Sequence, residues 1–163
     1  MAKKALSLLS CLTVLCLLPP AQAAESPLTG TWTLVQADVL LPDGKQVHDY
    51  GEAPKGLFII DAQGHYSLQI YDSLRPKYAS GDRSTGTAEE YRANAMGIST
   101  HFGMIDVDSL SHTMILHVAN ASFPNQDMGT QKRIYELKGD ELSYKVAPRK
   151  DGSIPISVWR RVR

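Results

Sequence analysis

The run Gly30-Thr31-Trp32-Thr33-Leu34-Val35-Gln36-Ala37-Asp38-Val39-Leu40-Leu41-Pro42-Asp43-Gly44 decides how the rest of the chain is read. β-Branched and aromatic residues favour an extended backbone, a glycine opens the run, and Pro-Asp-Gly is a good turn to close it. Side chains alternate along a strand, so Trp32 and Leu34 share one face while Val35, Ala37 and Val39 share the other. Apolar residues on both faces predict a strand packed on the inside and covered on the outside over part of its length.

Runs of the same kind follow. Lys45 to Tyr50 reads as a second strand and Leu57 to Ile60 as a third. The turn Asp61-Ala62-Gln63-Gly64 leads into His65 to Tyr71, which alternates cleanly. Tyr66, Leu68 and Ile70 take one face, and His65, Ser67, Gln69 and Tyr71 the other. Further strands are predicted at Ile98 to Asp106, His112 to Ala119, Gly129 to Leu137, Glu141 to Val146 and Ile156 to Val162. Between them, Thr87-Ala88-Glu89-Glu90 is a capping box opening a helix from Ala88 to about Met96, with Ala88, Tyr91, Ala95 and Met96 on one face. About nine short strands at this spacing indicate an all-β barrel or sandwich with one short helix and no second domain.

The N-terminus reads as an address. Met1-Ala2-Lys3-Lys4 is a basic head, Ala5 to Leu18 an apolar run, and Pro19-Pro20 precedes the small residues Ala21-Gln22-Ala23-Ala24. The apolar run falls short of the ~20 residues a membrane-spanning helix needs and fits a bacterial secretory signal. Residues 1–23 are therefore expected to be the leader and residues 24–163 the domain, periplasmic or secreted, with no stable membrane anchor after cleavage. Leu8-Leu9-Ser10-Cys11 loosely matches a lipoprotein box, but only a few apolar residues precede Cys11 and more follow it, which disfavours lipidation.

Cleavage removes both cysteines, Cys11 and Cys16, so the remaining domain holds no disulfide or thiolate. It also removes Lys3 and Lys4 from the 17 basic residues, against 17 acidic ones that all remain. That balance, with no basic stripe, disfavours nucleic acid or anionic lipid as a partner.

Several of these segments together resemble the bacterial lipocalin-like domain family. The resemblance lies in Gly30-Thr31-Trp32-Thr33-Leu34-Val35 with Leu41-Pro42-Asp43-Gly44, Pro54-Lys55-Gly56, Asp61 to Ile70, Arg75 to Asp82 and Thr87 to Glu90. It continues through His117 with Phe123-Pro124-Asn125, and Arg133 with Leu137 to Leu142, covering the chain from Leu28 onward. What it implies is a lipocalin-like antiparallel up-and-down barrel of eight or nine strands with an internal cavity for a small molecule. It implies no reaction and no cofactor.

The candidate ligand-binding residues are Gln69, Tyr71, Tyr78, His101, His117, Asn125, Arg133 and Tyr135. Gln69 and Tyr71 lie on the polar face of their strand, which points to solvent by alternation alone and to the cavity if the barrel is turned the other way. Tyr78 lies in the irregular stretch Asp72 to Gly86, a candidate lid over the barrel mouth. His117 stands on an apolar strand shortly before Asn125, and with Gln69, Arg133 and Tyr135 it could orient a carboxylate or carbonyl. The alternative role for Arg133 is to cover barrel-bottom aromatics such as Trp32. His112 and His117 are five residues apart and fall on opposite strand faces, so a metal site built on His101, His112 and His117 is disfavoured. The expected function is binding of a small, mainly apolar or amphipathic molecule. The alternative is a cavity enzyme of cyclase, isomerase or hydratase type using His117 for proton transfer.

Overall fold

The computed structural model describes residues 25–163, and the leader expected over residues 1–23 lies outside them. Nine strands are present: β1 (Gly30–Leu40), β2 (Gln46–His48), β3 (Lys55–Ile60), β4 (His65–Tyr71), β5 (Ile98–Asp108), β6 (Thr113–Ala121), β7 (Thr130–Lys138), β8 (Glu141–Lys145) and β9 (Ile154–Arg161). One α-helix, α1 (Ala88–Met96), separates β4 from β5. All neighbours are antiparallel, and β1 pairs with both β3 and β9, closing eight strands into an up-and-down barrel. β2 stays outside the cylinder, bonded to the far half of β1 through Asp38↔His48, Val39↔Val47 and Leu40↔Gln46.

A bulge between Leu34 and Gln36 corrects the reading of β1 as a two-faced strand. One extra residue reverses the alternation. Trp32 before the bulge and Ala37 after it both enter the core, whereas Val35 is exposed. On the outer side of this half, Asp38 is buried and accepts hydrogen bonds from Gln36 and Gln46 (2.7 Å each) and contacts His48 Nδ1 at 2.9 Å. Burial pushes its carboxyl upward, but those three bonds outweigh it and hold Asp38 below the usual carboxylate range. They fasten the short β2, which covers β1 from outside.

The up-and-down order gives the barrel two different ends. At one, tight hairpins join β3 to β4, β5 to β6 and β7 to β8. Leu28, fully buried, plugs this end, and the Trp32 indole donates to its carbonyl at 2.9 Å. Arg161 lies over the Trp32 ring, 4.0 Å from its centroid, and donates to the carbonyls of Thr29 and Pro27 at 2.6 Å each. The opposite end carries the long connections, residues 41–54, 72–97, 122–129 and 146–153.

The longest connection folds on itself. α1 has the capping box expected of it, Thr87 Oγ1 accepting from Glu90 N and Glu90 accepting from Thr87 N. No residue of α1 is buried, and Met96, on the face it shares with Ala88, Tyr91 and Ala95, is exposed. Tyr91 instead packs on Tyr78 (centroids 5.7 Å apart) and donates through its hydroxyl to the Arg83 carbonyl at 2.7 Å. At its base this connection is tied by Asp72 N donating to Gly97 O at 2.9 Å, beyond the last β4–β5 pair, Tyr71↔Ile98.

Charge-assisted bonds and the cation–π contact of Arg161 together predict that Arg161→Met lowers unfolding free energy by about 2 kcal/mol. Urea denaturation should show the midpoint falling with an unchanged slope, because the barrel loses its clamp and not its compactness.

Candidate functional site

Inward-facing positions of eight strands converge on the barrel axis. Most are apolar: Phe58, Ile60, Leu68, Ile70, Ile105, Met114, Leu116 and Leu142 are all buried in one cluster. Into this wall four strands set polar side chains: Tyr66 from β4, His101 from β5, Arg133 from β7 and Tyr144 from β8. Their relative exposures are 4, 4, 5 and 3%.

These groups touch one another. Tyr66 Oη lies 2.9 Å from His101 Nδ1, and Arg133 Nη2 lies 3.4 Å from His101 Nε2. The guanidinium carbon of Arg133 sits 4.7 Å from the centroid of the Tyr144 ring. Arg133 Nη2 also donates to Gln131 Oε1 at 2.5 Å. Arginine has donors only, so the lone pair of His101 is assigned to Nε2 and its proton to Nδ1. Nδ1–H then donates to Tyr66 Oη, which leaves the tyrosine's own hydrogen free to bond elsewhere.

Electrostatics keeps this imidazole uncharged. Burial, reinforced by the Arg133 charge, lowers the His101 pKa to about 3, so the imidazole is neutral over the ordinary pH range. Burial raises Tyr66 to about 12, so its phenol keeps its proton. Among the described residues, four buried side-chain atoms have no hydrogen-bond partner: Thr29 Oγ1 near the plug, and Arg133 Nε, Tyr144 Oη and Trp159 Nε1 further in. All can donate.

The sequence-predicted residues separate into two groups. His101 and Arg133 come together inside the barrel; Tyr135 also faces inward from β7, but its ring stacks on His112 with centroids 5.6 Å apart. Gln69 and Tyr71 lie on the outer wall, where Tyr71 Oη donates to Gln69 Oε1 at 3.3 Å and Arg75 covers the Tyr71 ring. There, with Ser67, Thr100, Phe102 and Asn120, they line a concavity of about 370 Å³. A second outer concavity, about 530 Å³, runs across β7, β8 and β9 beside Ile134, Val146 and Ile156.

His117 is corrected. It is exposed on the outside of β6, with Nε2 2.8 Å from Asp106 Oδ2. Its neighbours Leu116 and Val118 are the buried ones, so alternation turns it outward. A proton-transfer reading that places His117 in a dry cavity loses its base. Asn125 is exposed in a short 3-10 turn, Pro124–Gln126, and Tyr78 is half-buried in the connection that carries α1. Neither reaches the interior cluster. The alternative role for Arg133 is also reassigned, since Arg161 is the cation on Trp32 and Arg133 lies on Tyr144. Tyr66, Tyr144 and Trp159 went unrecognised as site residues. The available signal was a hydroxyl on an otherwise apolar strand face, as at Tyr66 in line with Leu68 and Ile70.

A family model described as lipocalin-like domain matches residues 29–162. Among solved structures, the chain is similar to a lipocalin-like protein from Bacteroides uniformis, with 14% identity, 83% of this chain and 98% of that one covered, and a TM-score of 0.42. An uncharacterized protein from Bacteroides eggerthii is similar at 13% identity over 82% of this chain and 98% of that one, with a TM-score of 0.38. No curated protein matches the sequence.

The neutral, buried His101 makes stability depend on pH in a known direction. An unfolded histidine takes up a proton as pH falls below the ordinary value of 6.5, while the folded one does so only near 3. Its contribution is therefore complete above 6.5 and is lost as pH falls from 6.5 toward 3, at about 1.4 kcal/mol per pH unit. Urea titrations through that window should show His101→Gln with a shallower loss than the unsubstituted protein, by close to one proton.

Proposed function

The chain belongs to the lipocalin-like domain family, and from that premise we propose that it is an exported binding protein that takes a small, mainly apolar molecule into its barrel. The observation that carries this reading is the set of interior donors without acceptors, at Arg133, Tyr144 and Trp159. A buried polar atom left unpaired costs about 1–3 kcal/mol, and a core selected for stability alone would place phenylalanine or methionine there. Family membership adds that barrels of this kind bind ligands on the axis.

Phe58, Leu68, Ile70 and Leu116 supply apolar wall for the body of such a ligand, and the donors supply its orientation. It enters from the end bearing the long connections, since Leu28, Trp32 and Arg161 close the other.

Titration with the neutral dye N-phenylnaphthylamine tests the reading through the fluorescence of Trp159. Saturable one-site binding is expected, with loss of affinity in Leu68→Trp, which narrows the barrel. A signal that never saturates, or one that Leu68→Trp leaves untouched, contradicts it. Export has its own measurement: mass spectrometry of the protein from a periplasmic fraction or culture medium should find Ala24 at the N-terminus, whereas a full-length cytoplasmic chain contradicts export.

A further inference from the structure

Arg133 is a cation shut inside the barrel without an anion. Its side-chain partners are Gln131, the neutral His101 and the Tyr144 ring, and among the described residues no carboxylate forms an ion pair with it. Other arginines of this chain are treated differently. Arg149 pairs with Asp49 at 2.5 Å, and Arg161 lies near Asp140 and bonds two backbone carbonyls. A guanidinium cannot shed its proton to escape burial, as a lysine or histidine can. Removing it from water is unfavourable unless an anion and further hydrogen bonds replace the solvent. The Tyr144 ring offsets part of that cost, but it leaves Arg133 Nε bare.

The neighbouring groups share one property. Tyr66, with Nδ1–H of His101 occupying its oxygen, has a free O–H; Tyr144 has another; Arg133 Nε–H is a third. A buried cluster with donors in surplus and a single positive charge is complementary to a group that only accepts and carries one negative charge.

We propose that the molecule bound in the barrel is an amphipathic monoanion whose carboxylate seats on Arg133, accepting from its guanidinium and from the hydroxyls of Tyr66 and Tyr144. This rests on the barrel-binding reading above and names its ligand class: an aliphatic or aromatic carboxylic acid. One carboxylate matches the charge of the site, because His101 stays neutral and adds no second cation. A dianionic phosphate monoester carries more charge than this site neutralises. Apolar residues packed on the cluster, Phe58 edge-on to Tyr66 (6.2 Å between centroids) and tilted against Trp159 (5.6 Å), leave the hydrocarbon part in contact with rings.

Competition against bound N-phenylnaphthylamine at neutral pH separates this inference from the one beneath it. Dodecanoic acid and dodecanol share a chain and differ in the head, so the acid should displace the dye at a concentration about tenfold lower. In Arg133→Met the acid and the alcohol should displace bound dye at equal concentrations, whatever the variant's own affinity for the dye, and the thermal midpoint should hold or rise because a buried charge has gone. Equal displacement by acid and alcohol in the unsubstituted protein overturns the carboxylate assignment and leaves barrel binding standing. A preference that survives in Arg133→Met overturns it as well. Failure of dye, acid and alcohol alike to bind removes both readings. The acid–alcohol ratio of the unsubstituted protein needs no variant, so the assignment is decided even if Arg133→Met does not fold.

Discussion

Closure of the sheet is the constraint from which the other features follow. β1 must hydrogen-bond β3 on one side and β9 on the other, and it does so with Trp32 opposite Phe58 and Arg161. An eight-stranded cylinder leaves room on its axis for one layer of side chains or one small ligand, and little else. Trp32, Leu28 and Arg161 fill that space at the hairpin end. The far half of β1 meets a different demand, because there the strand bonds β9 on one edge and β2 on the other. The bulge at Leu34/Gln36 marks the change between the two halves. Asp38, turned outward by it, becomes the acceptor that holds β2 in place.

Within that frame the interior has two chemistries. Near the plug, the Trp32 indole donates to the Leu28 carbonyl, while Thr29 Oγ1 is buried without a partner. Around Arg133 the polar groups are more numerous. A guanidinium, two phenols and a neutral imidazole face one another with more donors than acceptors, and burial amplifies every imbalance among them. The lowered His101 pKa and the raised Tyr66 pKa arise from the same lack of water. Stability alone gives no reason for this arrangement, whereas the proposed recognition of an acceptor does.

Much of the architecture was legible before any coordinates. Alternation and turn residues placed every strand within a few positions, and the Thr87–Glu90 box placed α1. The faces were harder. A bulge changes parity without a required residue type, so nothing in Leu34-Val35-Gln36 announces that Ala37 rejoins Trp32 in the core. His117 illustrates the opposite case, because buried Leu116 and Val118 on either side already dictate an outward histidine. Arg133 and His101 are legible singly, but their meeting across β6 depends on the register of β5, β6 and β7, and a sequence read along its length does not give that. Tyr66 and Tyr144 were hidden by their own hydrophobicity, since a tyrosine in a core strand reads as packing until its hydroxyl is found without a partner.

The 72–97 connection has a consequence of a different order. It leaves the cylinder after Tyr71 and rejoins at Ile98, two residues already paired, and its internal bonds (Tyr91 to Arg83, Glu90 to Ala79 and Thr87) close on itself. With no buried residue in α1, little of the barrel's packing depends on this appendage. It is a replaceable cassette at the barrel's doorway, and mutation can lengthen, trim or recolour it while the staves beneath remain as they are.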